Sequence, residues 1–246
     1  MSTFFSPFYF RIPIILSLIY WSATAFAGIS LNATRLIISE NDGMQGASIG
    51  VRSDETSTRA FLVKAQVFRD IDGQHEQVPF VVSPSLFRLE PGNTNQLRVI
   101  KNGGNLPNDK ESVFYFRVAA LPAASTQSKS SSSSGTENIL NVATGNIIKL
   151  FYRPNNLPIK QKEAMGRLQF QRVANGIKVT NPTPYYITIN SLTINGSDVN
   201  IRATRGQNML PPYGDTIFLH SVKSGKIQWK AINDYGGIES FHGQIQ

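Results

Sequence analysis

The chain has 246 residues, no cysteine and a formal charge of +8, from 24 Lys and Arg against 16 Asp and Glu. The lack of cysteine excludes thiol catalysis, thiolate metal sites and stabilising disulfides. The basic residues are scattered singly rather than clustered, which argues against nucleic acid as a partner and favours acidic protein surfaces.

The N-terminal segment predicts export. Residues 1–27 carry a single charge, Arg11, ahead of the apolar run "IPIILSLIYWSATAFA", which ends in a small-x-small pattern. This arrangement is typical of a signal peptide cleaved before Gly28. A retained membrane anchor is the alternative, but the run is short for a span and lacks a basic flank. We therefore expect a mature protein of 219 residues without stable membrane insertion, a length that suits two domains.

The first half of the mature chain reads as an immunoglobulin-like β-sandwich. Short apolar runs alternate with turns rich in Gly, Pro, Asn and Asp, and almost no 3.6-residue periodicity is present. The predicted strands are "ISLNATRLIIS", "ASIGVRS", "AFLVKAQVFR", "VPFVVSP", "NQLRVIK", "SVFYFRVAAL" and "ILNVATGNIIKLFY". Seven strands at this spacing predict a first domain over residues 28–152.

A serine-rich tract, residues 125–138, joins the last two of these strands. Its composition cannot bury apolar surface, so we expect a mobile loop. One interpretation is a tolerated insertion in a surface hairpin. The other is a loop that stays disordered until a partner arrives and strand pairing extends into it.

A second all-β unit follows a break in the pattern. The stretch "RPNNLPIKQ", residues 153–161, contains two prolines and two asparagines and reads as a linker. The predicted strands resume at residue 162 and continue to 246. They are "GRLQFQRV", "GIKVTN", "YYITINSLTING", "DTIFLHSV", "KIQWKAIND" and "SFHGQI".

Nothing in the chain predicts catalysis. The three histidines, His75, His220 and His242, are isolated from one another, and no H-E-x-x-H pattern is present. Neither a phosphate-binding glycine loop nor a nucleophile elbow is present. We therefore expect no catalytic residues, no metal and no cofactor, although an enzyme or a carbohydrate-binding module on the same scaffold stays open as a function.

Two cations within apolar strands stand out. Lys149 lies in "NIIKLFYRP" and Arg35 in "NATRLIIS". An unpaired charge in a buried run costs several kcal/mol. For each residue alone, a snorkelling side chain at a strand edge is the simpler interpretation. If both lie where the two domains meet, they form a cationic pair suited to one carboxylate.

Three further charges come from three different parts of the chain. Glu111 belongs to the first domain, Arg153 to the linker and Asp234 to the second domain. An arginine between two carboxylates would fix the angle between domains through charge-assisted hydrogen bonds. Three unrelated surface charges are the alternative.

Taken in order, several segments resemble those of the periplasmic pilus-assembly chaperones of the chaperone–usher pathway. They are "NATRLIIS", "RLEPG", "LPNDKESVFYFRV", "IIKLFYRP", "NPTPYYITI" and "INDYGG", and the resemblance covers essentially all of the mature chain. It implies two immunoglobulin-like domains in a boomerang arrangement. It also implies a periplasmic protein that supplies the missing strand of a pilus or fimbrial subunit and delivers that subunit to an outer-membrane usher.

The resemblance also assigns residues. The donor strand falls on "ILNVATG", with Leu140, Val142 and Thr144 facing the subunit's groove. Arg35 and Lys149 would bind the subunit's C-terminal carboxylate. The domain-orienting network would be Glu111, Arg153 and Asp234, and the usher contact would lie around Leu62, Pro84 and Arg98. Because the three donor residues have the opposite parity to Lys149, we expect a β-bulge near Gly145.

Some questions stay open at this level. The long loop before the donor strand resembles the long-loop subgroup, whose members often carry a disulfide and a longer N-terminal strand. This chain has no cysteine, and Arg35 is the eighth residue after the predicted cleavage, so the type of fibre is undecided. Self-association of the client-free protein is also open. The alternative function is an exported fibre subunit or adhesin, for which one domain lacking a strand would be expected.

Overall fold

β-Strands account for nearly all the regular structure. A computed structural model describes residues 28–43, 45–123, 143–203, 206–220 and 224–245. The predicted signal peptide, the serine-rich loop, Leu140 and Val142 lie outside these residues. Within the described ranges, no helix has the length and apolar composition needed to cross a membrane.

The first half forms a sandwich of two sheets. Its strands are β1 Ile29–Leu31, β2 Arg35–Ser39, β3 Ala47–Ser53, β4 Phe61–Phe68, β5 Phe80–Ser83, β6 Leu86–Leu89, β7 Thr94–Lys101, β8 Ser112–Pro122 and β9 Thr144–Arg153. The strand orders are β1-β3-β7-β5 and β2-β9-β8-β4-β6. Alternate residues point between the sheets, as the burial of Val63, Ala65 and Val67 in β4 shows, so both inner faces share one apolar core.

The second half has its own core and its own sheets. Its elements are α1 Gln161–Ala164, β10 Gln169–Val173, β11 Gly176–Thr180, β12 Ile187–Ile194, β13 Ser197–Asp198, β14 Met209–Leu210, β15 Asp215–Leu219, β16 Lys226–Ile232 and β17 Ile238–Gln244. One sheet has the order β10-β11-β15, and the other β13-β12-β16-β17, with β14 also on β12. Phe170, Phe218 and Trp229 are buried in the core of this half. The predicted all-β fold with two immunoglobulin-like sandwiches is confirmed.

The prediction of "ISLNATRLIIS" as one strand is wrong. The segment divides into β1 and β2, which lie in different sheets. Asn32 marks the division: its Oδ1 accepts a hydrogen bond from Gly50 N at 2.8 Å, and its own N–H donates to Gly50 O at 3.2 Å. The chain then crosses to the second sheet, where β2 pairs in parallel with β9. This crossing delivers Arg35 to the strand that carries Lys149.

Besides a short 3-10 helix, Glu40–Asp42, four short elements were missing from the predicted pattern: β6, α1, β13 and β14. β6 alternates like its neighbours, with Leu89 buried, but Pro84 and Pro91 on either side of it read as turn residues. The other three have two to four residues each, too few to show a period. β9 also continues through Arg153, the first residue of the predicted linker.

Candidate functional site

The two cations in apolar strands lie side by side. The parallel pairing of β2 with β9 places Arg35 opposite Lys149. Their neighbours Leu36 and Leu150 are buried in the core, so the two charged side chains leave the opposite face of the sheet. That face meets the second half of the chain. Lys149 Nζ donates to Thr188 Oγ1 at 3.2 Å, and Arg35 Nη1 donates to the backbone oxygen of Ile232 at 3.2 Å.

Both cations carry an electrostatic penalty in this cleft. Burial lowers the pKa of Lys149 to about 8, and the nearby Arg35 adds to the shift. Burial also lowers the pKa of Arg35, although Asp234 and Glu111 partly offset that effect. Arg35 Nε is buried without a hydrogen-bond partner in the described part of the chain. Two crowded cations with unused donors form a site that an anion would relieve.

The three predicted network charges are in direct contact. Arg153 Nε donates to Glu111 Oε1 at 2.8 Å, and its two terminal nitrogens donate to the two Asp234 oxygens at 2.7 and 2.8 Å. Glu111 Oε2 accepts from the backbone N–H of Tyr186 at 2.9 Å. The Arg153 guanidinium also lies 5.1 Å from the centre of the Tyr185 ring. Bidentate pairing of this kind fixes direction as well as distance, and here it joins the first sandwich, the end of β9 and the second sandwich.

Burial and the charged partners act in opposite directions on the pKa values of Glu111 and Arg153. Burial raises the pKa of Glu111 to about 6, although Arg153 and the Tyr186 N–H oppose the shift. Burial alone would lower the pKa of Arg153, but the hydrogen bonds and charges of Asp234 and Glu111 outweigh it and raise that pKa. Arg153 therefore stays charged, and removing it would leave two carboxylates facing each other.

The start of β9 belongs to the predicted donor strand. Its ladder with β8 is regular from Ala120 opposite Thr144 to Ser112 opposite Tyr152, so the bulge expected near Gly145 is wrong. Thr144 therefore shares the inner face of the sheet with Ile148 and Leu150. Lys149 lies on the outer face. The parity difference between Thr144 and Lys149 needs no bulge, because a regular strand places the two residues on opposite faces.

One edge of this strand is only partly covered. β2 pairs with Lys149–Arg153 and does not reach the preceding five residues of β9, Thr144–Ile148. In the described chain, these five pair with β8 on one side and with no strand on the other. β1 lies near this part of β9 without pairing with it, and the Asn146 side chain donates to Ile29 O at 3.4 Å. An uncovered strand edge is a template for another strand.

The three predicted usher-contact residues come from both sheets of the first sandwich. Leu62 lies on the outer face of the five-stranded sheet, close to two other exposed leucines, Leu86 and Leu121. Arg98 is exposed on the outer face of the four-stranded sheet, and Pro84 directly follows β5 of that sheet. Sequence reasoning missed this leucine cluster. It could have been found from the apolar residues at outward-facing positions of β4, β6 and β8.

Sequence reasoning also missed Thr188 and the Ile232 carbonyl. Both come from the second half and reach the cations only because the two sandwiches dock. Thr188 carries the one signal that the sequence offers, because it is a polar residue within the apolar strand "YITI". The structure buries it together with its neighbours Ile187 and Ile189.

Two family models match consecutive parts of the chain. The family described as "Pili and flagellar-assembly chaperone, PapD N-terminal domain" matches residues 28–158. The family described as "Pili assembly chaperone PapD, C-terminal domain" matches residues 163–242. Together the matches span both sandwiches.

Individual relatives agree with the family models. Chaperone protein FimC of Escherichia coli K12 is 35% identical over 216 residues, covering 87% of this chain and 83% of FimC. Chaperone protein LpfB of Salmonella typhimurium is 31% identical over 227 residues, covering 91% and 90%. Among solved structures, that of the Salmonella enterica SafA pilin with the SafB chaperone has a TM-score of 0.74 at 29% identity, covering 90% and 98%. The Escherichia coli chaperone DraB has a TM-score of 0.71 at 28% identity, covering 89% and 96%.

Proposed function

The chain belongs to the family of pilus-assembly chaperones, and we propose how its own residues hold a pilus or fimbrial subunit. It binds the subunit by donor-strand complementation, caps the subunit's assembly surface and delivers it to an outer-membrane usher. A single observation carries the proposal for its residues. One strand, β9, presents an uncovered edge over Thr144–Ile148 and, immediately after it, a cation aligned with a second cation.

The cation pair anchors the end of the client. Arg35 and Lys149 receive the subunit's C-terminal carboxylate, whose negative charge offsets the repulsion between two cations that the fold has placed together in a partly buried cleft. The unpartnered Arg35 Nε and the remaining Lys149 protons supply the donors. A carboxylate at this end fixes the register of the client strand along β9, because it defines where that strand stops.

The uncovered edge then pairs with the client along its length. A subunit that lacks its last strand has an open groove and an unpaired sheet edge. β9 and the residues before it pair with the subunit's sheet edge through backbone hydrogen bonds, and their alternate side chains fill the groove. Leu140, Val142 and Thr144 follow the inner-face parity of β9 and are the groove-filling residues.

The surrounding assignments follow from the same family. The periplasm is the compartment, with residues 1–27 as the signal peptide, and the chaperone has no enzymatic role. The Glu111–Arg153–Asp234 network fixes the relative orientation of the two domains. An exported fibre subunit is disfavoured, because the family matches cover two complete sandwiches. The usher contact lies around Leu62, Pro84 and Arg98, and it includes the exposed leucine neighbours of Leu62.

Co-purification tests the proposal. The chain and a fimbrial subunit would be expressed together in the periplasm, and the chain would be isolated by a tag. We expect an equimolar complex with the subunit, and degradation or aggregation of the subunit when the chain is absent. A chain that instead polymerises with copies of itself, or leaves the subunit unprotected, would contradict the proposal.

A further inference from the structure

Thr188 is buried in an unusual place for a polar strand residue. It lies in β12 between Ile187 and Ile189, which belong to the core of the second sandwich. In a strand, the residue between two core residues points to the opposite face. Thr188 is nevertheless only 4% exposed, because that opposite face meets the first sandwich at Lys149.

The hydroxyl of Thr188 accepts a hydrogen bond but does not donate one to any described residue. A threonine hydroxyl offers one donor and two acceptor positions. Lys149 Nζ donates to Thr188 Oγ1 at 3.2 Å, and none of the described residues accepts the hydroxyl proton. A buried donor without an acceptor is unfavourable, and this donor lies beside two cations that await an anion.

We propose that Thr188 is the third member of the carboxylate site: it accepts a hydrogen bond from the Lys149 ammonium and donates its own to the client's terminal carboxylate. The inference rests on the proposed function of Arg35 and Lys149. It makes the second sandwich a direct participant in capture, so the site is complete only when both sandwiches are docked. The same hydroxyl holds Lys149 in place before the client arrives.

The test compares two synthetic peptides with the sequence of the C-terminal segment of a fimbrial subunit, one with a free carboxylate and one amidated. Their affinities are measured for the wild-type protein and for Thr188→Val, Thr188→Ser and Thr193→Val. Thr193 is the matched control, because it lies in the same strand but its hydroxyl is exposed. Hydrogen bonds to charged groups are worth about a factor of ten in affinity.

We expect Thr188→Val to lose about tenfold in affinity for the carboxylate peptide and nothing for the amidated one. Thr188→Ser and Thr193→Val should behave as wild type. Equal losses for both peptides, or no loss for either, would overturn the role of Thr188. If the valine variant does not fold, Thr188→Ala replaces it. If the wild type binds both peptides equally, the carboxylate anchor itself is wrong, which is a separate outcome.

Discussion

At the level of single residues, capture depends on two cations, Arg35 and Lys149, whose charged forms are disfavoured by burial in the free protein. Lys149 was recognisable in the sequence because it interrupts an apolar run, and Arg35 because of a similar setting. Their alignment across a parallel strand pair was not visible, since it depends on the sheet switch after β1. The contacts of Thr188 and Ile232 with the cations could not be predicted, because only the docking of two distant segments brings them together.

Replacing either cation should abolish capture without unfolding the protein. Each charge-assisted contact contributes roughly 1.5–3 kcal/mol, so Arg35→Ala or Lys149→Ala should weaken subunit binding by one to two orders of magnitude. Binding would be measured by recovery of the subunit with the tagged chaperone. Lys64→Ala is the control, because Lys64 is an exposed cation of the same sheet. Normal recovery with the double variant would refute the anchor assignment.

Capture should weaken in alkaline solution. Lys149 has a pKa of about 8 in the free protein, with Arg35 on β2, Tyr115 on β8 and Thr188 on β12 around it. Because only the ammonium pairs with a carboxylate, affinity should fall as pH rises through 8, by up to tenfold per pH unit. The sign for stability is opposite: between pH 8 and 10.5 the folded state releases this proton first, so the free energy of unfolding rises.

The Lys149→Gln variant provides the comparison for this titration. Its affinity for the subunit should be lower at neutral pH and should change little between pH 7 and 9. A wild-type affinity that is equally flat over that interval would show that Lys149 does not bind the client as a cation.

At the scale of elements, β9 carries three properties that serve one purpose: a core-facing side, a cationic side and an uncovered edge. The sequence predicted the strand and its apolar character, but the bulge inferred from parity was wrong. A regular strand places Thr144 and Lys149 on opposite faces, and the second sandwich contacts the strand at Lys149.

Polar substitutions in the donor strand should abolish stable complexes. Burial of Leu140 and Val142 in the client's groove would contribute about 1.5–3 kcal/mol for each side chain. The double change to Asn should remove this while backbone pairing remains, and subunit survival in the periplasm would fall. Ile217→Asn with Leu219→Asn is the control, since both side chains are exposed in the second sandwich.

Shortening the serine-rich loop should matter far less, because the loop only tethers the strand. A double Asn variant that still protects its subunit, together with a loop deletion that does not, would move the binding site from the strand to the loop.

At the scale of the whole molecule, the two sandwiches are joined by charges that the sequence identified but could not connect. Glu111, Arg153 and Asp234 are far apart in the chain, and three independent surface charges fitted the sequence equally well. Their contact distances of 2.7–2.8 Å join both sandwiches through one guanidinium. The carboxylate site depends on the same docking, since its cations reach Thr188 and Ile232 across the interface.

Removal of Arg153 should loosen this arrangement. Arg153→Ala removes the guanidinium that hydrogen-bonds both Glu111, which is 3% exposed, and Asp234, and breaking a buried pair in this way costs about 3–5 kcal/mol. Because Asp234 is partly solvated, we expect a loss near the lower figure, a lower melting temperature and an altered X-ray scattering profile. Arg167→Ala, at an exposed ion pair with Glu163, should change neither property. An Arg153 variant with wild-type melting and scattering would show that the network does not set the domain angle.

Amide hydrogen exchange along β9 tests strand donation most directly. The free chaperone would be compared with its complex with a subunit that lacks its last strand, and with a mixture containing a subunit that carries its own strand. We expect strong new protection of amides within Thr144–Ile148 in the first complex only, and little change over Lys149–Arg153, which β2 and β8 already pair. Unchanged exchange at Thr144–Ile148 in a stable complex would contradict donor-strand complementation by this edge.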